Sequence, residues 1–199
     1  MLSLKEGEFA VKLARRAIEA HLKGLEAKPI DVPKCFAEKL GVFVTLEEFP
    51  SKELRGCIGF PEPVAPLAEG VAEAAVFAAT EDPRFPKVEA RELPKLVIEV
   101  SVLTKPERIV AKTPAEIMKQ VKVGRDGLII RSSYASGLLL PQVPVEQKWD
   151  AEEFLAHICY KAGLPPDSWL SPSAQLFKFQ AQVFSEEAPG GNVVEKKLG

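Results

Sequence analysis

The segment from Leu176 to Phe184 alternates apolar and polar side chains: Phe177, Phe179, Ala181 and Val183 are interleaved with Lys178, Gln180 and Gln182. Successive side chains of a strand point to opposite faces, so this pattern specifies a strand with one buried and one wet face. Such a strand is stable only within a sheet whose apolar face is covered. The chain supplies further strands. Val42–Leu46 and Leu54–Phe60 are β-rich runs, the second stopped by Pro61. Leu96–Leu103 carries the β-branched residues Val97, Ile98, Val100 and Val102. Val121–Val123 and Leu128–Ser132 flank Gly124-Arg125-Asp126-Gly127, a hairpin signal, and Leu138–Leu140 adds a strand after the Ser136-Gly137 turn.

Helices cover that sheet. Ser3 and Glu6 form a capping box ahead of Ala10, Leu13, Ala14, Ala17, Ile18, His21, Leu22 and Leu25, which repeat at helical spacing and predict a helix ending near Ala27. Pro66 starts an Ala-rich helix over Leu67–Thr80, whose small side chains permit close packing on a sheet. Thr113 with Pro114 and Glu116 opens a short helix to Gln120, and Asp150 with Glu153 opens another through Ala162, stopped by Gly163. Hairpin signals with segregated helices predict an α+β fold with a mainly antiparallel sheet. Residues 1–104 and 134–185 are expected to form a larger part, 105–133 a smaller inserted subdomain, and 186–199 a flexible tail.

Bulk properties exclude several classes. The net charge of −2 gives no global field toward nucleic acid or anionic lipid, and no basic face with interleaved aromatics stands out. No apolar run approaches the roughly 20 residues a membrane helix needs, and the first residues lack the shape of a signal peptide. Three cysteines, odd in number and far apart, argue against a disulfide framework. These features predict a cytoplasmic protein. Two separated histidines without a Cys-x-x-Cys pair predict no metal site. The absence of a phosphate loop, a dinucleotide fingerprint and a Gly-x-Ser-x-Gly elbow predicts no cofactor and none of the usual hydrolase, kinase or dehydrogenase chemistries.

Three runs carry the candidate chemistry. In Leu54-Arg55-Gly56-Cys57-Ile58-Gly59 a thiol sits between Gly56 and Gly59, residues that let backbone or a ligand approach closely. In a regular strand Arg55 shares a face with Cys57. Either it pairs with a carboxylate, or that face opens to solvent and the cation favours a thiolate nucleophile. The alternative is that Cys57 is a small buried hydrophobe. In Asp82-Pro83-Arg84-Phe85-Pro86 two prolines stiffen a turn. Asp82 and Arg84 then form an ordinary ion pair, or the stiff loop presents Arg84 as a fork for a carboxylate or phosphate. In Gly137–Val143, Gln142 is an amide reader of a ligand or a solvated loop residue. Trp149 and Trp169 read as caps of the core. On the helix from Asp150, Cys159 flanks the apolar stripe, whereas His157 lies about 130° from its centre, toward solvent or a partner.

In their order, these runs resemble the AMMECR-one family. The matching motifs are Leu54–Gly59, Asp82–Phe85, Leu138–Val143 and the helix with Cys159-Tyr160-Lys161-Ala162-Gly163-Leu164, and the resemblance spans nearly the whole chain. Phe60 stands where many members carry threonine. The resemblance implies a larger and a smaller α+β part with a cleft between them. It also implies Memo-like or radical-SAM-like protein partners, and no particular reaction. Two functions follow: an enzyme using Cys57 on a small anionic metabolite, with Arg55, Gly56, Gly59, Asp82, Arg84, Gln142 and His157 as ligand-binding candidates; or a non-catalytic module binding an anionic ligand, a nucleotide or a protein partner.

Overall fold

The computed structural model describes residues 1–25 and 31–197. Their elements are, in chain order, α1 (Leu4–Leu22), β1 (Gly41–Glu48), β2 (Leu54–Phe60), α2 (Leu67–Thr80), β3 (Leu96–Leu103), β4 (Glu107–Arg108), α3 (Pro114–Gln120), β5 (Asp126–Arg131), β6 (Ser136–Leu139), α4 (Gln142–Glu146), α5 (Ala151–Lys161), β7 (Gln175–Glu186) and β8 (Val193–Lys196). This is the expected α+β class, with antiparallel pairings and flanking helices. Among the described residues no helix is long and apolar enough to cross a membrane.

The chain divides into two units. The first comprises Met1–Leu103 and Gln182–Lys196, and the second contains Thr104–Ala181. The second unit therefore extends past the 133/134 boundary expected from sequence and includes β5, β6, α4 and α5. Strand β7 crosses from one unit to the other.

In the first unit the strands are ordered β2-β1-β3-β7, with β8 also paired to β7. Helix α1 starts as the sequence dictates: Ser3 and Glu6 cap reciprocally, and Ala10, Leu13, Ala14, Ala17 and Ile18 are buried. It stops at Leu22, so the last turn expected near Ala27 does not form as far as Leu25, and Ala27 itself lies outside the described residues. His21 and Leu25 are exposed rather than part of the apolar stripe. Helix α2 packs on α1, β1 and β2. Its Ala74, Ala75 and Ala78 bring its backbone down onto the sheet. Gly56 completes that approach: a Cβ there would lie 2.2 Å from the Ala78 carbonyl oxygen.

Two expectations fail in the C-terminal part of this unit. Residues 186–197 are not a free tail, because Glu186 ends β7 and Val193–Lys196 forms β8 against Val183–Glu186, and residues 198–199 lie outside the described residues. The simple alternation of β7 also breaks. Gln182, predicted to face water, is buried: its Oε1 accepts from Leu2 N at 2.6 Å and its Nε2 donates to Leu2 O at 3.1 Å. Glu186 is buried as well, held by Arg15 and by the backbone N–H of Ile98.

In the second unit β7 pairs with β5 and β4, and β5 with β6. The hairpin expected around Gly124-Arg125-Asp126-Gly127 does not form. Residues 121–125 make a turn into β5, and the hairpin lies instead at Ser132–Ala135 between β5 and β6. The unit's core gathers Leu128, Ile130, Phe154, Leu155, Ile158, Cys159 and Trp169, with Trp149 partly buried against it. Leu138–Leu140 are half-buried. The Asp150–Glu153 capping box is present as predicted.

Replacing Gly56 with alanine sets a methyl group against a backbone carbonyl that cannot rotate away, so α2 must lift from β2. Overpacking of this kind costs about 1–3 kcal/mol. We expect Gly56→Ala to lower the urea midpoint accordingly without changing the m-value.

Candidate functional site

The site is built on β2, an edge strand of the first unit's sheet. An edge strand carries backbone groups with no neighbouring strand to bond them. In the β1–β2 ladder Cys57 lies opposite Thr45. The backbone N–H of Cys57 points away from β1 and donates to Asp82 Oδ2 at 2.8 Å. Its carbonyl oxygen accepts a long 3.5 Å bond from Arg84 Nη2. The Asp82-Pro83-Arg84 turn thus takes the place of a neighbouring strand at this residue. A pair whose backbone groups face outward brings its side chains close together, and Thr45 Oγ1 donates to Cys57 Sγ at 3.3 Å.

Asp82 is the centre of the arrangement. Besides Cys57 N, its carboxylate accepts from Arg84 N at 3.1 Å, Arg84 Nε at 2.9 Å and Arg84 Nη2 at 2.7 Å. The Asp82 side chain is 2% exposed and that of Arg84 is 54% exposed. The Arg84 guanidinium bonded to it, together with the two backbone N–H groups, holds the Asp82 carboxyl far below the usual carboxylate range. Arg84 therefore has one edge locked to a buried anchor, and among the described residues no hydrogen bond engages its Nη1. Its guanidinium also lies 5.4 Å from the centre of the half-buried Phe85 ring.

Arg55 does not share this environment. The ladder slips between Leu46 and Glu47: Leu46 pairs with Gly56 and Glu47 with Leu54, leaving Arg55 as the extra residue of a bulge. The regular parity that would put Arg55 on the face of Cys57 is lost. Arg55 is buried, with Nε 3.0 Å from Glu92 Oε1 and Nη1 donating to Pro86 O at 2.9 Å. Of the two alternatives in the sequence, pairing with a carboxylate is the one realised. Arg55 secures the far end of the Asp82–Pro86 loop.

The two glycines have packing roles. Gly56 admits the α2 backbone, as above. A Cβ at Gly59 would meet the Phe43 ring at 2.3 Å, so that space is filled by protein. Gln142 and His157 belong to the second unit. Gln142 is the first residue of α4, and its Oε1 is buried with no hydrogen-bond partner among the described residues. The His157 ring stacks on Trp149 at 3.7 Å and 7°, with Tyr160 edge-on at 5.6 Å. His157 remains half-exposed beside this stack, so the ring keeps part of the solvent contact expected for it.

The electrostatics of Cys57 run against a ready thiolate. Burial pushes its thiol up from the ordinary value. The Thr45 hydroxyl and the Arg84 charge act in the opposite direction, and the Asp82 and Glu99 carboxylates add to the rise. The other thiols are raised as well. Burial, then the hydrogen bond to Glu6, pushes Cys35 up to about 11, and Cys159 is fully buried with its thiol directed at Leu155 O. All three cysteines are free. No group of three or more His, Cys, Asp or Glu side chains able to hold a metal occurs among the described residues. Sequence reasoning missed Thr45 and Glu92. Neither has a local signal, since each reaches its partner through a strand register or a loop path.

Two outcomes test this geometry. Asp82→Ala leaves the Cys57 N–H and one edge of Arg84 without their acceptor, and is expected to cost about 1–3 kcal/mol. Because the folded carboxyl is held below its unfolded value of about 3.9, its contribution is complete above that value and is lost as pH falls through the lower folded one. The stability gap between the wild type and Asp82→Asn, measured by urea unfolding, should therefore close on acidification. In a Cys35→Ser background, alkylation of Cys57 by iodoacetamide should follow an apparent pKa above the ordinary thiol value of about 8.5. A lower one would overturn the assignment of a protonated thiol.

Known proteins share this chain's fold and much of its sequence. Protein MJ0810 of Methanocaldococcus jannaschii is 54% identical, over 100% of this chain and 98% of its own length. Protein MK0488 of Methanopyrus kandleri is 54% identical over 99% of this chain and 96% of its own length. The crystal structure of the uncharacterized protein PH0010 from Pyrococcus horikoshii superposes with a TM-score of 0.90 at 54% identity, covering 97% of both chains. The AMMECR1 family model matches residues 11–184, and the chain belongs to the AMMECR1 family.

Proposed function

We propose that the first unit binds a small anionic ligand through Arg84, with Cys57 as a neutral neighbour rather than a nucleophile. The observation that carries this reading is the division of labour within the Asp82–Arg84 pair. A fully exposed surface ion pair is worth little and holds no geometry. Here the carboxylate is buried and fixed by four donors, while more than half of the arginine side chain remains exposed. A guanidinium fixed on one edge loses little entropy when its other edge takes a carboxylate or phosphate, and its planar fork suits both. The bulge at Arg55 and the Glu92 pair stiffen the loop further.

The enzyme reading keeps one supporting observation, the Arg84 charge beside the thiol. The raised thiol weighs against it, because a nucleophilic cysteine is ordinarily activated by a lowered pKa or an adjacent base. Three free cysteines also support a reducing compartment, the cytoplasm, as the place of action.

Inorganic phosphate, citrate and AMP, assayed by thermal shift and calorimetry, test the proposal. At least one should raise the melting temperature of the wild type. Arg84→Ala should abolish the shift, Arg84→Lys should weaken it, and Cys57→Ser should leave it intact. If none of the three stabilises the protein, or if Arg84→Ala responds like the wild type, the reading is wrong. Loss of binding in Cys57→Ser alone would restore the cysteine to the centre of the site.

A further inference from the structure

Arg84 has a neighbour on the β2 edge that the Asp82 turn leaves open. The backbone groups of β1 alternate between its two partner strands. Glu48 N donates to Glu53 O at 2.8 Å on the β2 side, and Phe49 N donates to Lys95 O at 2.9 Å on the β3 side. Carried back along β1, this alternation turns Val44 and Leu46 toward β2, and Phe43 and Thr45 toward β3. On β2, Ile58 is then bonded to β1, while Cys57 and Gly59 both present their N–H and C=O to the open side. The Cys57 N–H reaches Asp82 there, in agreement with this parity. Asp82 and Arg84 occupy the two Cys57 groups. Among the described residues nothing bonds the outward groups of Gly59, and the residue is half-buried rather than covered.

Three groups therefore follow one another along that edge. Arg84 Nη2 lies 3.5 Å from Cys57 O. The next outward group of the strand after that carbonyl is the Gly59 N–H, and the Gly59 C=O comes after it. The order is guanidinium, amide donor, carbonyl acceptor. Two neighbouring donors can share one carboxylate, which is an acceptor only. The carbonyl beyond them needs a donor, which a carboxylate lacks. In an antiparallel bonded pair, the opposite residue offers its carbonyl oxygen to the N–H and its own N–H to the C=O. A carboxylate with an N–H or O–H on its α-carbon reproduces that spacing, whereas a phosphate dianion or a plain fatty acid does not. The side chain of a residue opposite Gly59 falls on the face where Gly59 has none. The half-buried Phe43 ring lies across that gap, 2.3 Å from where a Cβ would stand, and offers an apolar surface.

We infer that the Arg84 site takes small α-hydroxy or α-acylamino carboxylates with an apolar substituent. The carboxylate bridges Arg84 Nη1 and the Gly59 N–H, the α-donor bonds the Gly59 C=O, and the substituent lies against Phe43. This assignment rests on the binding of an anion by Arg84 and adds the class of anion. A site built to bond a ligand donor discriminates against the analogue lacking it, because its own acceptor is then left unpaired.

The test titrates the isotope-labelled full chain, followed by amide NMR, with L-leucic acid, N-acetyl-L-leucine and isocaproate. The three share one carbon skeleton, and isocaproate has no donor on its α-carbon. At least one of the first two should bind about three- to tenfold more tightly than isocaproate, the range of a single hydrogen bond. The tighter of them identifies the source, a hydroxy acid or an acylated amino acid. The Gly59 amide signal should move along the same saturation curve, and its exchange with deuterated solvent should slow at saturation. The methyl ester of the tighter ligand should bind at least about tenfold more weakly, since it lacks the charged acceptor. Equal binding of isocaproate, or a Gly59 amide untouched at saturation, overturns the inference. If phosphate or AMP binds through Arg84 while neither donor-bearing acid binds, the Arg84 reading stands and the ligand class is wrong. If Arg84→Ala binds the donor-bearing acids as the wild type does, or if no anion binds at all, both fall.

Discussion

The Asp82 carboxylate organises the first unit's edge. A buried carboxylate is costly unless it is fully hydrogen-bonded, and this one has four donors from three different groups: the Cys57 and Arg84 backbones and the Arg84 side chain. The same contacts solve a second problem. An exposed edge strand invites pairing with another chain, and at Cys57 an aspartate and an arginine stand in for the missing strand. The chemistry offered at the surface, one free guanidinium edge beside a protonated thiol, is a by-product of closing that edge.

Much of the fold was legible because it is encoded locally. Strands β2 and β3 and helix α2 fall on the residues that β-branching, proline punctuation and alanine content indicate. Ser3 with Glu6 and Asp150 with Glu153 cap as their spacing requires. What the sequence concealed depends on pairing between distant segments. Gly124 and Gly127 carry a turn signal, but β5 finds its hairpin partner on its other side, in β6. Gln182 reads as wet because it is polar, yet it is buried against the Leu2 backbone, 180 residues earlier in the chain. Val193–Lys196 is too short and too charged to announce a strand without β7 beside it.

The candidate site followed the same division. Cys57, Asp82 and Arg84 stood out as local motifs, and the structure joins them through direct hydrogen bonds. Arg55 stood out equally and belongs elsewhere, because a one-residue bulge redirects it to Glu92. No alternation rule detects a bulge whose cause lies in the partner strand. Thr45 and Glu92 are ordinary residues in ordinary runs, and only the register of β1 and the path of the loop give them their roles.

Strand β7 has a consequence for how the chain is made. The first hundred residues contain α1, α2 and three of their strands, yet β3, paired with β1 on one side, lacks its second neighbour until Gln182–Glu186 has been synthesised. Until then Arg15 has no Glu186 carboxylate and Ile98 no acceptor for its N–H. A ribosome-bound nascent chain therefore carries one unpaired edge of β3 through the translation of some eighty further residues, a period in which protection by chaperones would matter most.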